Sequence, residues 1–388
     1  MKVGIIGAGA SGILCAIQLK KKYGDKIIVD LYEQEDKIGK KILQTGNGKC
    51  NFANANLNES FYNDSGFVKD ILNRYNLDSI LETFTSLGIL YKMDEEGRYY
   101  PLSENAASFL EVLKYHLNIL EVNTFVNTKI TSIKQKNSIY VINDDKEYDR
   151  VIISIGGKAR VKEYDNSFLD DLNIEVTDDH PGLVSVKVKE KFLKNISGIR
   201  LKVNAQVINN NQVCYQNEGE VLFKDDSLSG IVLFSCSRYI DSKSIIELDL
   251  IKDYDETKML SWMEMLEEKM LVKDAFLSLF PRLLAITLSK ELNLVDKTIG
   301  QLSIKERKKL INKLKHFQFH VDCLNDYNNA QIMCGGIDLK QVNEKLQLKT
   351  HPSIYVMGEV LNIDGECGGF NLSFAWACAL CVADNIKL

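Results

Sequence analysis

Val3-Gly4-Ile5-Ile6-Gly7-Ala8-Gly9-Ala10-Ser11-Gly12 is the stretch that decides the fold of this chain. Val3 to Ile6 is a short apolar run of the kind that forms a strand buried on both faces. It enters a complete G-x-G-x-x-G, after which Ile13, Leu14, Ala16, Ile17 and Leu19 recur at helical spacing as far as Lys22. A second strand is expected from Ile27 to Tyr32, ending at Glu33, 26 residues after Gly7. Strand, glycine turn, helix, strand and acid in this order make the dinucleotide-binding unit of an α/β fold. Gly7 permits the tight turn, Gly9 lets a pyrophosphate approach the backbone, and Gly12 lets helix and strand close on each other. Ala8, Ala10 and Ser11 bring the remaining N–H groups to the positive end of the helix dipole. Glu33, with Gln34 beside it, is placed to accept ribose hydroxyls. These residues leave NAD and FAD equally open.

Next come Gly39-Lys40-Lys41 and Thr45-Gly46-Asn47-Gly48-Lys49-Cys50-Asn51, dense in glycine, amide and cationic side chains. Such a segment can surround a phosphate or a polar ring edge with N–H donors, although an exposed polar loop has the same composition. Near the C-terminus, Ile354 to Met357 reads as a buried strand ending at Gly358-Glu359. Asp364-Gly365 and Gly368-Gly369-Phe370-Asn371-Leu372 then open a last helix.

With these segments in view, the chain resembles the aminoacetone-oxidase-type or BaiN-like family of FAD-binding oxidoreductases. The family pattern E-x(5)-G-R-K followed by S-G-x-G-R-C-N-x-T-N is similar to Glu33, Gly39-Lys40-Lys41 and Thr45 to Asn54, with Lys in place of Arg twice. Gly97-Arg98-Tyr99-Tyr100-Pro101-Leu102-Ser103 is similar to G-R-x-F-P-x-S. Gly358 to Asn371 is similar to G-E-x-L-D-x-D-G-x-x-G-G-Y-N. The resemblance implies FAD as cofactor, held by the residues already named at Gly7–Gly12, Glu33, Gln34, Lys40, Lys41, Thr45–Gly48, Cys50 and Asn51. It adds Ile130 at the adenine, the pair Gly156-Gly157 beside the cofactor, Glu359 on a ribityl hydroxyl, and Asp364 with Gly368–Leu372 around the flavin ring. A glycine-led helix N-terminus there would stabilise negative charge on the reduced ring.

The resemblance also implies the architecture. A discontinuous Rossmann-like FAD-binding domain is expected over residues 1–184 and 330–388. A β-barrel domain is expected over 185–251 and 316–329, and a helical domain inserted in it over 252–315. The residues agree with this division. Leu183–Val188, Leu201–Val207 and Gly219–Phe223 alternate or cluster apolar positions as short strands, and the region from Lys252 to Lys315 is rich in Leu, Met, Glu and Lys at helical spacing.

Two segments depart from the family. Its Ser- and Gly-rich loop after the glycine pair is here Lys158-Ala159-Arg160-Val161-Lys162-Glu163-Tyr164-Asp165. Its F-T-H-x-G-x-S-G-P is here Phe223 to Ile231, without the His or the Pro. FAD binding should survive both changes, whereas the family's substrate chemistry is put in doubt.

The remaining composition bounds the partners. The chain has 388 residues, a formal net charge of −5 and interspersed charges, so no nucleic-acid partner is expected. The basic run Lys305–Lys315 reads as the solvated face of a helix. No apolar run reaches the roughly 20 residues of a membrane helix, and the N-terminus lacks a signal peptide, so a cytoplasmic protein without a membrane partner is expected. The nine cysteines form no disulfide framework. The excess of Lys over Arg suggests an A/T-rich bacterial genome. His316 and His320 have no third ligand beside them, so no metal is expected.

The expected activity is that of an FAD-dependent oxidoreductase. Transient NAD(P)H would reduce the flavin, which would pass hydride to an unidentified small unsaturated or carbonyl compound, or to oxygen. Tyr100, Arg98 and Glu366 are candidate proton donors, but no catalytic residue is assigned. The alternatives are a flavin-binding module or sensor with decayed catalytic loops, and an RNA-modifying flavoprotein.

Overall fold

Five parallel strands form the sheet that carries the N-terminal motif. The computed structural model describes residues 1–388. In space the strands run Ile354–Val356, Arg150–Ile153, β1 (Lys2–Ile6), β2 (Ile28–Tyr32), Asn123–Phe125. β1 lies at the centre, pairing with β2 on one side and Arg150–Ile153 on the other. Being covered on both faces, its buried stretch is apolar at Val3, Ile5 and Ile6, with Gly4 between them. A side chain at Gly4 would come within 3.1 Å of the Tyr148 ring, which belongs to a three-stranded antiparallel sheet over residues 133–148.

Helix α1 (Ala10–Tyr23) connects β1 to β2, and its apolar residues from Ile13 to Leu19 are fully buried. The C-terminal helix (Phe370–Asn385) packs along it. That helix is apolar nearly all round, as a helix enclosed on every side must be. Trp376, Cys378 and Cys381 in it have no exposed surface. A small antiparallel sheet of β3 (Ala53–Asn54), β4 (Tyr91–Met93) and β5 (Arg98–Pro101), in the order β3-β5-β4, joins the same core through Phe52, Phe84 and Phe109.

The chain divides into two compact units, one of residues 1–180 and 332–388, the other of residues 181–331. The second unit is built on a closed six-stranded antiparallel barrel. Going round it, the strands are Val186–Val188, Ser227–Ser229, Gln212–Phe223, Arg200–Asn209, Ile245–Asp249 and Phe317–Leu324. Its longest hairpin turns at Asn210 and Asn211, both left-handed with φ of 50° and 61°, a conformation that Asn tolerates better than most residues. The helices between Glu256 and Lys315, expected as a separate inserted domain, share one hydrophobic cluster with the barrel strands. Asp255 caps the first of them, and Ser303 with Glu306 closes a capping box on the last. No helix is long and apolar enough to cross a membrane.

Candidate functional site

At the carboxyl ends of the central strands, the three motif glycines occupy different surroundings. Gly7 has φ of +101°, and a Cβ there would lie 2.4 Å from the Ser154 carbonyl oxygen. A Cβ on Gly12 would lie 2.0 Å from the Gly7 carbonyl oxygen, so strand and helix touch here backbone to backbone. Gly9 differs: nothing lies within 4 Å of its Cβ position. The first helical bond runs from Ile13 N–H to the Gly9 carbonyl at 3.1 Å, which leaves Ala10, Ser11 and Gly12 N–H outside the ladder at the helix end that Gly9 caps.

The Glu33 carboxylate accepts Ala8 N–H at 3.2 Å and Glu35 N–H at 3.0 Å. Burial nevertheless raises its pKa, with those backbone donors opposing. Gln34 follows at partial exposure. Thr128 N–H bonds to the Glu33 carbonyl at 2.8 Å, which brings the segment ending at the buried Ile130 alongside the acid. On the other side of β1, Gly156 has φ of +68° and open space at its Cβ position, while a Cβ on Gly157 would lie 2.9 Å from Glu359 Oε1.

Residues 39–51 wrap the same edge. Gly39, itself left-handed, donates its N–H to the Ala8 carbonyl at 2.9 Å and starts a short helix at Lys40. The Lys40 ammonium is held by Glu35 at 2.6 Å and Asp36 at 2.5 Å. The Lys41 ammonium reaches Glu359 Oε2 at 2.6 Å, and Glu359 Oε1 accepts Met333 N–H at 2.8 Å. The expected ribityl ligand is thus already an ion-paired, backbone-anchored carboxylate.

Thr45 anchors the following turn through Oγ1 to the Ile42 carbonyl at 2.7 Å. Gly46, Asn47, Gly48 and Cys50 then all take positive φ, between 53° and 83°, and such a turn can present successive N–H groups to one concave side. Burial pushes the Cys50 thiol up to about 12, so it stays protonated at neutral pH. Asn51 follows, buried, and its Oδ1 has no hydrogen-bond partner.

That oxygen faces the C-terminal motif, since a Cβ on Gly369 would come within 2.7 Å of it. Gly368 and Gly369 have φ of +132° and +100°, and Gly369 caps the C-terminal helix. Asn371 closes the turn before it, accepting Gly365 N–H and donating to the Gly365 carbonyl, both at 2.8 Å. The backbone of the buried Asp364 exchanges bonds with Asn63 at 3.0 and 3.1 Å. Phe370 stacks on Phe61 at 4.2 Å, and Leu372 is half-buried against the core. Gly358 closes the circle: a Cβ on it would sit 2.9 Å from Ser11 Oγ in the first motif.

Several residues that sequence reasoning passed over hold these turns. Ser154 Oγ bonds the carbonyls of Ile6 and Gly7 at 3.0 and 2.8 Å. Asn54 Nδ2 bonds the Gly368 carbonyl at 2.8 Å, Tyr62 the Phe370 carbonyl at 2.7 Å, and Trp376 Nε1 the Phe52 carbonyl at 3.0 Å. Asn54 lay within the quoted motif and was the most legible of them. The loop that departs from the family after Gly157 is tied by Lys158 to Asp179 at 2.5 Å and Lys129 to Asp165 at 2.9 Å. Tyr164 reaches back to the Gly156 carbonyl at 3.2 Å. His316 and His320 face different carboxylates, Glu247 at 2.7 Å and Glu190 at 2.8 Å.

Known proteins are similar to this sequence along nearly its whole length. The family described as HI0933-like protein Rossmann domain matches residues 1–385. A 3-dehydro-bile acid delta(4,6)-reductase of Clostridium scindens is 30% identical over 97% of this chain and 96% of its own. A ribosomal RNA dihydrouridine synthase of Haemophilus influenzae is 26% identical, covering 99% of this chain and 98% of its own. A protein of the same name from Escherichia coli is 22% identical, covering 98% and 97%. The chain belongs to the HI0933-like Rossmann family, a family of FAD-binding oxidoreductases.

Proposed function

We propose that the protein is an FAD-dependent reductase, with NAD(P)H as the transient electron donor, that saturates a carbon–carbon double bond conjugated to a carbonyl in a small molecule. The residues fit the cofactor. The single observation that carries the reading is Asn51 Oδ1, a buried acceptor without a donor beside the N-terminus of the C-terminal helix. Leaving such a group unpaired costs about 1–3 kcal/mol, and the N3–H of an isoalloxazine ring is a donor of the right kind. The open space at Gly9 suits a pyrophosphate in the same way.

When bound, FAD supplies hydride at its N5. The chain's own residues do the rest. Ala10, Ser11 and Gly12 N–H hold the pyrophosphate, and Glu33, its pKa raised by burial, accepts ribose hydroxyls. Gly46, Asn47 and Gly48 lay N–H groups along the ring edge, and the Gly369-led helix offers its positive end to the pyrimidine side. Lys41 and Glu359 fix the loop on which these contacts depend.

The substrate class follows from bond chemistry shared by the relatives' names. A delta(4,6)-reductase acting on a 3-dehydro compound and an enzyme making dihydrouridine both saturate a C=C conjugated to a carbonyl. Ribosomal RNA is therefore a second reading, favoured by the two relatives that act on it and opposed by the net charge of −5. A flavin-binding module with altered loops is the third.

An absorption spectrum of the purified protein, with the released chromophore identified, tests the cofactor. Anaerobic mixing with NADH and NADPH then tests the donor, and loss of the donor's absorbance on adding an enone or a uridine-containing RNA separates the substrates. A flavin that no nicotinamide bleaches would favour the module.

A further inference from the structure

β5 (Arg98–Pro101) alternates its side chains across the strand, and the two tyrosines at its centre part company. Tyr99 turns into the core, edge-on to Tyr91 at 5.6 Å and tilted against Phe52 at 6.4 Å. Tyr100 points the other way. Its ring edge lies 3.3 Å from the position a Cβ would take on Gly46, in the turn that faces the flavin under the reading above. Its strand is also bound to the C-terminal glycine turn. Arg98 pairs in register with Asn54, and Asn54 Nδ2 holds the Gly368 carbonyl at 2.8 Å. The Tyr100 side chain therefore stands where the two glycine-rich turns meet.

We propose that Tyr100 is the catalytic proton donor, delivering its hydroxyl proton to the carbon α to the substrate carbonyl. This rests on the reading of the protein as an enone-type reductase. The Tyr100 hydroxyl makes no hydrogen bond within the protein, so its proton is uncommitted. Burial raises its pKa, aided by Asp94, Glu96 and the nearby Cys367, with Arg98 opposing, so the phenol is neutral at physiological pH. Arg98, the other polar side chain of the strand, is occupied by Asp94 and Glu96, each at 2.8 Å.

The step balances. Hydride from flavin reduced by a dihydronicotinamide adds to the carbon β to the carbonyl, and the π pair of the C=C moves to the carbonyl oxygen as an enolate. The enolate re-forms the carbonyl as its α-carbon takes the Tyr100 proton, and the tyrosinate is reprotonated from water. Two electrons and two hydrogens are added, one as hydride and one as proton. Cys367, whose thiol burial pushes up to about 11, is the competing donor at this junction.

The test uses the full-length FAD-loaded protein and its variants Tyr100→Phe, Tyr100→His and Cys367→Ala. Each is reduced anaerobically, then mixed with cyclohex-2-enone as probe or with oxygen. Proton transfer by a positioned acid is worth about 10²–10⁴-fold, so Tyr100→Phe should slow reoxidation by the enone to that extent. Reoxidation by oxygen, which needs no proton on carbon, should be unchanged. A second readout needs no substrate: the alkaline titration of flavin absorbance, to which the ring N3–H and Cys367 also contribute, should lose the Tyr100 step in Tyr100→Phe, gain a step nearer neutral pH in Tyr100→His and keep the Tyr100 step in Cys367→Ala. Wild-type enone rates in Tyr100→Phe, loss of rate only in Cys367→Ala, or an alkaline titration of Tyr100→Phe that superimposes on that of the wild type would overturn the assignment. If no enone reoxidises the wild type, the reductase reading falls and takes the donor role with it, while the alkaline titration still decides whether Tyr100 faces the flavin.

Discussion

Lys41 Nζ and Glu359 Oε2 lie 2.6 Å apart although 318 residues separate them in sequence. The pair fastens the loop after β2 to the end of the last parallel strand. Both side chains are partly shielded, and Glu359 holds Met333 N–H through its second oxygen. Replacing Lys41 by Met should cost about 1 kcal/mol, the upper range for a partly exposed pair, seen as a fall in Tm of roughly 2–4 °C. Glu359→Gln, which keeps an acceptor for Met333, should cost no more than Lys41→Met. A much larger loss in Glu359→Gln would mean that Glu359 has a further charged partner.

The motif glycines predict opposite outcomes for one kind of change. Gly7→Ala forces a Cβ to 2.4 Å from a backbone oxygen at φ of +101°, and Gly12→Ala forces one to 2.0 Å. Both should destabilise the fold itself, by about 1–3 kcal/mol or more. Gly9→Val places its Cβ where no protein atom lies within 4 Å and should leave the melting temperature of the FAD-free protein in place while abolishing flavin retention. A full flavin complement in Gly9→Val would remove the pyrophosphate from this turn.

Asn51→Leu should move stability and binding in opposite directions. It removes a buried acceptor that has no donor, so the FAD-free protein should gain up to about 1–3 kcal/mol. The same change deletes the bond proposed for the ring, so FAD affinity should fall. Thermal melts with and without FAD measure both, and a parallel loss in the two melts would show that Asn51 serves the fold alone.

Asp165 should contribute a distinct acid limb. Its carboxylate accepts Ser167 N–H at 2.9 Å and the Lys129 ammonium at 2.9 Å, which together hold its pKa down to about 2. The folded value lies below the unfolded one of about 3.9. The contribution is therefore complete above pH about 4 and is lost as pH falls toward 2. Asp165→Asn should flatten Tm against pH in that window and leave the neutral range nearly unchanged.

What could be read from sequence followed the range of the interactions involved. The β1 turn, α1, β2 and Glu33 form one local unit whose spacing is set by a single crossover, and they were legible residue by residue. The last strand and its helix were legible for the same reason, as was the closed barrel in outline. The Asn210-Asn211 turn was not: two asparagines in left-handed geometry give a weaker signal than Asn-Gly, so the strand leading out of the turn read as starting at Gly219 rather than Gln212. Within the candidate site, glycines stood out because their lack of a side chain is a local demand. Ser154, Tyr62 and Trp376 did not, since each acts by reaching a carbonyl far away in sequence. Lys41 and Glu359 were each singled out, yet nothing local tied one to the other.

The distance between Gly9 and Gly369 also sets a timetable. At about 5–20 residues per second of synthesis, roughly 20–70 s pass between the emergence of the first turn and that of the last helix. Throughout that interval α1 has left the ribosome without the helix that packs along it, and Phe52 without the Trp376 indole that bonds its carbonyl. A nascent chain in this condition carries the glycine turn proposed for the pyrophosphate without the one proposed for the ring. On that proposal cofactor capture would be one of the final events of biogenesis, and a product terminated before the last helix is left with the apolar surface that this helix covers.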